Sequence, residues 1–200
     1  SNGGGGRSQL ASLEDLSLAG LSGITAESVI PLIKAFGPNL RGLNVGGCVL
    51  LGDDVLVQPR QSCSRLERLN LEELGRATAA GLLGLFLNTS QEESTEESEQ
   101  TDEPVGKRRK IVHLSGNGGL RGGIGPLESV SLRNVRNTTD ETLQYLTESC
   151  KGLRHINIGG CSNLTSKSAI CLALNAKELQ TLDVSFVRGL QNEAMIFLVN

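Results

Sequence analysis

Residues 153–165, "LRHINIGGCSNLT", hold two patterns in thirteen positions. Leu153, Ile156 and Ile158 are spaced L-x-x-L-x-L, and a Gly-Gly-Cys turn and a helix-capping Thr follow. Apolar residues at the fourth and sixth positions alternate along a short strand, so both point to one face. A lone strand cannot bury that face. Either it stacks beside equivalents or the pattern means nothing.

Equivalents are present. "LEDLSLAGL" starts at 13, "LRGLNVGGC" at 40, "LERLNLEEL" at 66, "LESVSLRNV" at 127 and "LQTLDVSFV" at 179. The six starts are separated by 27, 26, 61, 26 and 26 residues. A near-constant period of this size is the mark of a solenoid, in which each unit buries its face against its neighbours. Paired residues such as Leu16 and Leu18, or Leu69 and Leu71, then form a continuous core.

The remainder of each period returns the chain over the other side. "LTSKSAICLALNAKE" (164–178) reads as a helix capped by Thr165, and "TTDETLQYLTESCKG" (138–152) as one capped by Thr139 or Asp140. "ATAAGLLGLFLN" (77–88) is a third. In the first repeat Pro31 predicts a kink or an early stop. "GDDVLVQPRQSCS" in the second is short and polar, which predicts an irregular return.

Cys48 and Cys161 occupy the ninth position of their repeats, and Cys63 and Cys150 lie three residues before the next repeat's first Leu. The whole resembles the cysteine-containing leucine-rich repeat, approximately L-x-x-L-x-L-x-x-C-x-x-(I/L)-T, then a helix, then a polar-Cys-x-x-L junction. Leu21, Leu74, Val135 and Val187 stand where that pattern has Cys. The resemblance covers about 160 residues and implies an α/β horseshoe of about six repeats, with parallel strands on the concave face and helices on the convex one. It places repeats 1–3 in residues 10–88 and repeats 4–6 in 127–200, with a flexible linker over 1–9. No polar cap is evident at either end, so a longer array is expected.

The same resemblance implies a non-catalytic, protein-binding role. The repeat type is that of F-box-type ubiquitin-ligase recognition arms, whose partners are a ligase adaptor and a substrate. It is also that of the leucine-rich repeat subunit of the nuclear nucleotide-excision-repair complex. A structural scaffold is a third reading. No cofactor, metal or catalytic residue is expected: the five cysteines form no C-x-x-C pair, and neither His113 nor His155 can be tied to a thiol. A net charge of −3 and the near absence of aromatics, with no Trp, argue against direct nucleic-acid binding. No apolar run has the length of a membrane span. Reduced thiols point to an intracellular, nuclear or nucleocytoplasmic protein. The acceptor triplets at Asn88, Asn137 and Asn163 have meaning only in a secreted one.

The gap of 61 holds an insertion, assigned to 89–126. Seven acidic residues fall between Glu92 and Glu103 with almost no apolar side chain, which predicts disorder. Lys107, Arg108, Arg109 and Lys110 match a nuclear-import signal. Ser90 and Ser94, each with Glu three residues on, are candidate phosphorylation sites. The glycines of 116–125 lack the register of a phosphate-binding loop.

Strand residues facing away from the core are the candidate partner-binding positions. They are Arg68, Asn70, Glu72, Ser131, Arg133, His155, Asn157 and Asp183, with Phe186 as an exposed aromatic anchor.

Overall fold

The structure, a computed structural model, describes residues 12–86 and 124–198. Six strands of three residues each, β1 (Asp15–Ser17), β2 (Gly42–Asn44), β3 (Arg68–Asn70), β4 (Ser129–Ser131), β5 (His155–Asn157) and β6 (Thr181–Asp183), form one parallel sheet in sequence order. The central residues Leu16, Leu43, Leu69, Val130, Ile156 and Leu182 stand in register. This is the register the six aligned segments predict. It passes from β3 to β4 without a slip across the 61-residue gap.

After each strand a helix returns: α1 (Ala26–Phe36), α2 (Asp53–Ser62), α3 (Ala79–Phe86), α4 (Asp140–Ser149), α5 (Ser166–Asn175) and α6 (Asn192–Phe197). Sheet and helices make two layers, and the leucines of the strands fill the space between them. Leu132, Leu153, Ile158 and Leu66 are fully buried there, with Leu143 and Leu146 of α4 packed in from the helix side. Burial of each such side chain contributes about 1.5–3 kcal/mol. That exceeds what strands of three residues gain from their own ladder.

The caps follow the sequence. The Thr139 side chain accepts the Thr142 N–H, and the Thr142 hydroxyl reciprocates at the Thr139 N–H. Thr165 accepts from the Lys167 N–H. Two helix starts are also held by the repeat before them: Asp140 accepts from the Thr165 N–H and hydroxyl at 2.9 and 2.6 Å, and Asp53 accepts likewise from Thr78. One carboxylate at the start of a helix therefore fixes the start of the next.

Two proline-containing returns are more continuously helical than an irregular path or an early stop. The second repeat returns through a regular helix, α2, with Asp53 and Asp54 in its first turn, where the helix dipole favours them. Its inward face carries Val55, Leu56 and also Gln58 and Pro59, all buried. A buried glutamine and proline disguise an apolar face. Nor does α1 stop at Pro31: it continues to Phe36, with Val29 and Ile33 buried on either side.

Five residues separate helix from strand after α1, α2, α4 and α5, whereas 42 follow α3. Ile124 lies five residues before β4, the same distance that separates helix from strand in those repeats. Ile124 packs against the core, and a side chain at Gly125 would meet the Leu66 backbone N at 2.2 Å. Residues 124–126, assigned to the insertion from sequence, thus include positions held against repeat 3. Lys107, Arg108, Arg109, Lys110, Ser90 and Ser94 lie outside the described residues.

Candidate functional site

The open face of the sheet is built from the third, fifth and seventh residues of each repeat. Their side chains fall into three columns running across all six strands, and each column has its own chemistry.

The fifth-residue column works on the main chain. The side-chain oxygens of Asn44, Asn70, Asn157 and Asp183 each accept the backbone N–H two residues on, at 3.0, 2.8, 2.9 and 2.9 Å. Each bond turns the chain out of the strand toward the helix. Asn70, Asn157 and Asp183 are thereby half-buried, with one oxygen committed inside the repeat. Ser185, through its hydroxyl first and its N–H second, holds the Asp183 carboxyl below the usual carboxylate range, and Arg133 adds to this.

The third-residue column carries a bridge. Arg68 on β3 reaches across β2 to Asp15 on β1, with Nη2 2.8 Å from Oδ1. The intervening residue is Gly42, and a side chain there would begin 2.0 Å from that same oxygen. Arg68 also contacts Glu67 at 3.3 Å. Farther along the column His155 Nδ1 lies 2.8 Å from the Thr181 hydroxyl. In the seventh-residue column Glu72 accepts the Ser131 hydroxyl at 2.6 Å, while Arg133 stands exposed between Glu72 and the glycines 159 and 160.

These side chains rim a shallow groove. A depression of about 380 Å³ spans β1 to β4, lined along the middle of the strands at Leu16, Leu43 and Leu69 and walled by Asp15, Arg68 and Ser129. A second, of about 330 Å³, continues from Ser129 to Asp183 past Glu72 and His155. Seven of the eight positions picked from sequence line these two depressions, and Arg133 is exposed but lines neither. Phe186 does not join them: it sits in the turn after β6, at the far end, 82% exposed. Asp15 and Gly42 complete the groove, and no local signal separates Asp15 from any exposed acid.

The cysteines face the other way. Cys48 and Cys161 are fully buried and donate their S–H to the carbonyls of Leu18 and Leu132 in the preceding repeats, at 3.0 and 3.1 Å. Burial pushes the Cys63 thiol up to about 11 and that of Cys150 up to about 12. Such thiols hold the stack and are poor nucleophiles. Among the described residues no group of three or more His, Cys, Asp or Glu could hold a metal ion, and no helix is long and apolar enough to cross a membrane.

Register, two-layer packing and strand face define a leucine-rich repeat solenoid. The sequence is similar to that of DNA repair protein rhp7 of Schizosaccharomyces pombe, 29% identical over 170 residues, which is 83% of this chain and 24% of that protein. The fold matches a chain in the crystal structure of the Rad7 and Elc1 complex in yeast, with a TM-score of 0.60 and 22% identity over 88% of this chain and 36% of that one. The chain therefore spans about a quarter of the length of the curated relative. No family model matches it.

Proposed function

We propose that this chain is a non-catalytic protein-recognition module of a nuclear DNA-repair protein, and that it holds its partner on the strand face. The observation that carries the reading is the similarity to a DNA repair protein across 83% of the chain. The groove supports it. It is shallow, and its rim carries the charged or polar side chains of Asp15, Arg68, Glu72 and His155. Nuclear localisation accompanies the repair role, with Lys107–Lys110 as the import signal.

The partner meets Arg68, Glu72, Arg133 and His155 at their exposed ends. The amides of Asn70 and Asn157 and the Asp183 carboxylate contribute the acceptor or donor capacity left over from their turns. The ubiquitin-ligase setting belongs to this reading as a subordinate form, favoured by the repeat subtype that buried Cys48 and Cys161 display.

Affinity capture from cells, comparing the natural protein with an Arg68→Glu/Arg133→Glu variant, tests it. Loss of specific protein partners with unchanged thermal stability, together with sensitivity to DNA damage, is the expected result. Unchanged partners and unchanged damage resistance would overturn it. Co-purification of a cullin and its adaptor would place the module in a ligase.

A further inference from the structure

The fifth residue of each repeat points onto the strand face, and at Asn44, Asn70 and Asn157 the orientation of the side-chain amide is fixed. In each of them the oxygen is spent inside the repeat, on the N–H two residues on, at 3.0, 2.8 and 2.9 Å. A planar amide whose oxygen is held at the turn presents its NH2 group instead. Among the described residues, nothing in the protein accepts from the Nδ2 of these asparagines. Asn44 and Asn70 line the depression over β1 to β4, and Asn157 lines the one beyond it.

The carboxylates of the same face are already served. Asp15 takes Arg68 at 2.8 Å, Glu72 takes the Ser131 hydroxyl at 2.6 Å, and Asp183 takes the Ser185 N–H at 2.9 Å. Arg133, in the repeat between those of Asn70 and Asn157, is exposed and forms no ion pair among the described residues. The capacity left open along the face is therefore that of donors, the asparagine amides and the Arg133 guanidinium. Donors facing a groove call for acceptors, and a guanidinium favours a charged one. Arg68 and Arg133 do not outnumber Asp15, Glu72 and Asp183, so a polyanion finds no surplus charge to hold it.

We propose that the column of Asn44, Asn70 and Asn157 is the specificity element of the strand face, and that its ligand is a protein segment carrying isolated Asp or Glu side chains. Their carboxylates accept from the amide NH2 groups and from Arg133. The inference rests on the reading that the strand face holds a protein partner, and adds the sign of what that partner presents. A long acidic tract or a nucleic-acid backbone is disfavoured by the carboxylates beside the column. The protein carries its own control. In the sixth repeat Asp183 stands where these repeats have Asn, and it makes the same turn bond at 2.9 Å. Asn70→Asp or Asn157→Asp thus keeps the turn while replacing the outward donor with an acceptor.

The test selects random peptides displayed on phage against the natural chain and against an Asn70→Asp/Asn157→Asp chain. Acidic residues should dominate the peptides selected on the natural chain. The tightest of them should bind the variant at least about tenfold more weakly, with no change in thermal unfolding. Selection on the variant should bring up Lys or Arg in place of the acid. Basic or purely apolar peptides on the natural chain, or an acidic peptide that binds the variant equally well, overturn the inference. If Arg68→Glu/Arg133→Glu still weakens those peptides, the strand face stands as the binding surface and only its donor chemistry is refuted. Peptides that none of these substitutions weakens would remove the strand-face reading and this inference with it. Displacement of the selected peptide by a DNA duplex, or by a synthetic peptide of residues 91–103, also overturns it, since the occupant would then be a phosphate backbone or this chain's own acidic segment.

Discussion

The fifth and sixth repeats carry the same motif and differ in what surrounds it. Ile158, at the sixth position of the fifth repeat, lies between a strand on either side and is fully buried, while Val184, its equivalent, is half-buried with a strand on one side only. The ninth position shows the same trend: Cys161 is fully covered, and Val187 remains 7% exposed. Sequence alone does not distinguish the two repeats. Burial in a solenoid is a property of the neighbours, so stability is approximately a sum over interfaces rather than over motifs.

Truncation is the most forceful way to break that comparison. Ile158→Ala should cost about 2–5 kcal/mol, because the cavity is enclosed on both sides. Val184→Ala should cost about 1 kcal/mol or less, since fewer contacts are lost. Urea denaturation of the two variants measures the difference, and equal losses would deny that position in the stack sets the energy.

A backbone substitution sharpens it next. Gly160→Ala places a side chain against Asn134 in a left-handed backbone and should destabilise by about 1–2 kcal/mol. Part of that loss should return in the Gly160→Ala/Asn134→Gly double variant, leaving only the backbone contribution. The third prediction concerns pH. Cys63 and Cys150 have folded values raised to about 11 and about 12 from 9.0, so the folded state keeps protons that the unfolded state releases. Their contribution is complete below pH 9 and falls as pH rises toward 11–12; replacing both by Ala should flatten that alkaline decline in thermal unfolding curves. The smallest effect belongs to the exposed edge, where Arg41 pairs with Glu14 at 3.4 Å and with Glu67. Arg41→Ala should cost no more than about 1 kcal/mol, and less in high salt.

What could be read without a structure was whatever repeats. The period places every strand and its register, and the threonines before α4 and α5 announce their caps because capping is a local bond. Recognition of α2 failed because Gln58 and Pro59 are buried where the pattern expects leucine, and Gln58 places an amide N–H within its own helix, on the Asp54 carbonyl. Asn70 and Asn157 were legible as outward-facing but not as turn-forming. A recurrent Asn at the fifth position, followed two residues later by Gly or Glu, was the signal for that bond. The Asp15–Arg68 bridge was not legible at all, because it joins residues 53 positions apart across the absent side chain of Gly42.

The strand face is a single surface only if β3 and β4 are true neighbours despite the residues between them. The direct measurement joins Phe86 to Ile124, removing 87–123, and follows amide exchange at Leu71 and Glu73, which donate to the carbonyls of Ser131 and Arg133 at 2.9 Å. Protection at both amides equal to that in the intact chain is the predicted result. Fast exchange there, with the repeats on either side still protected, would mean two separate stacks and would contradict a continuous recognition face.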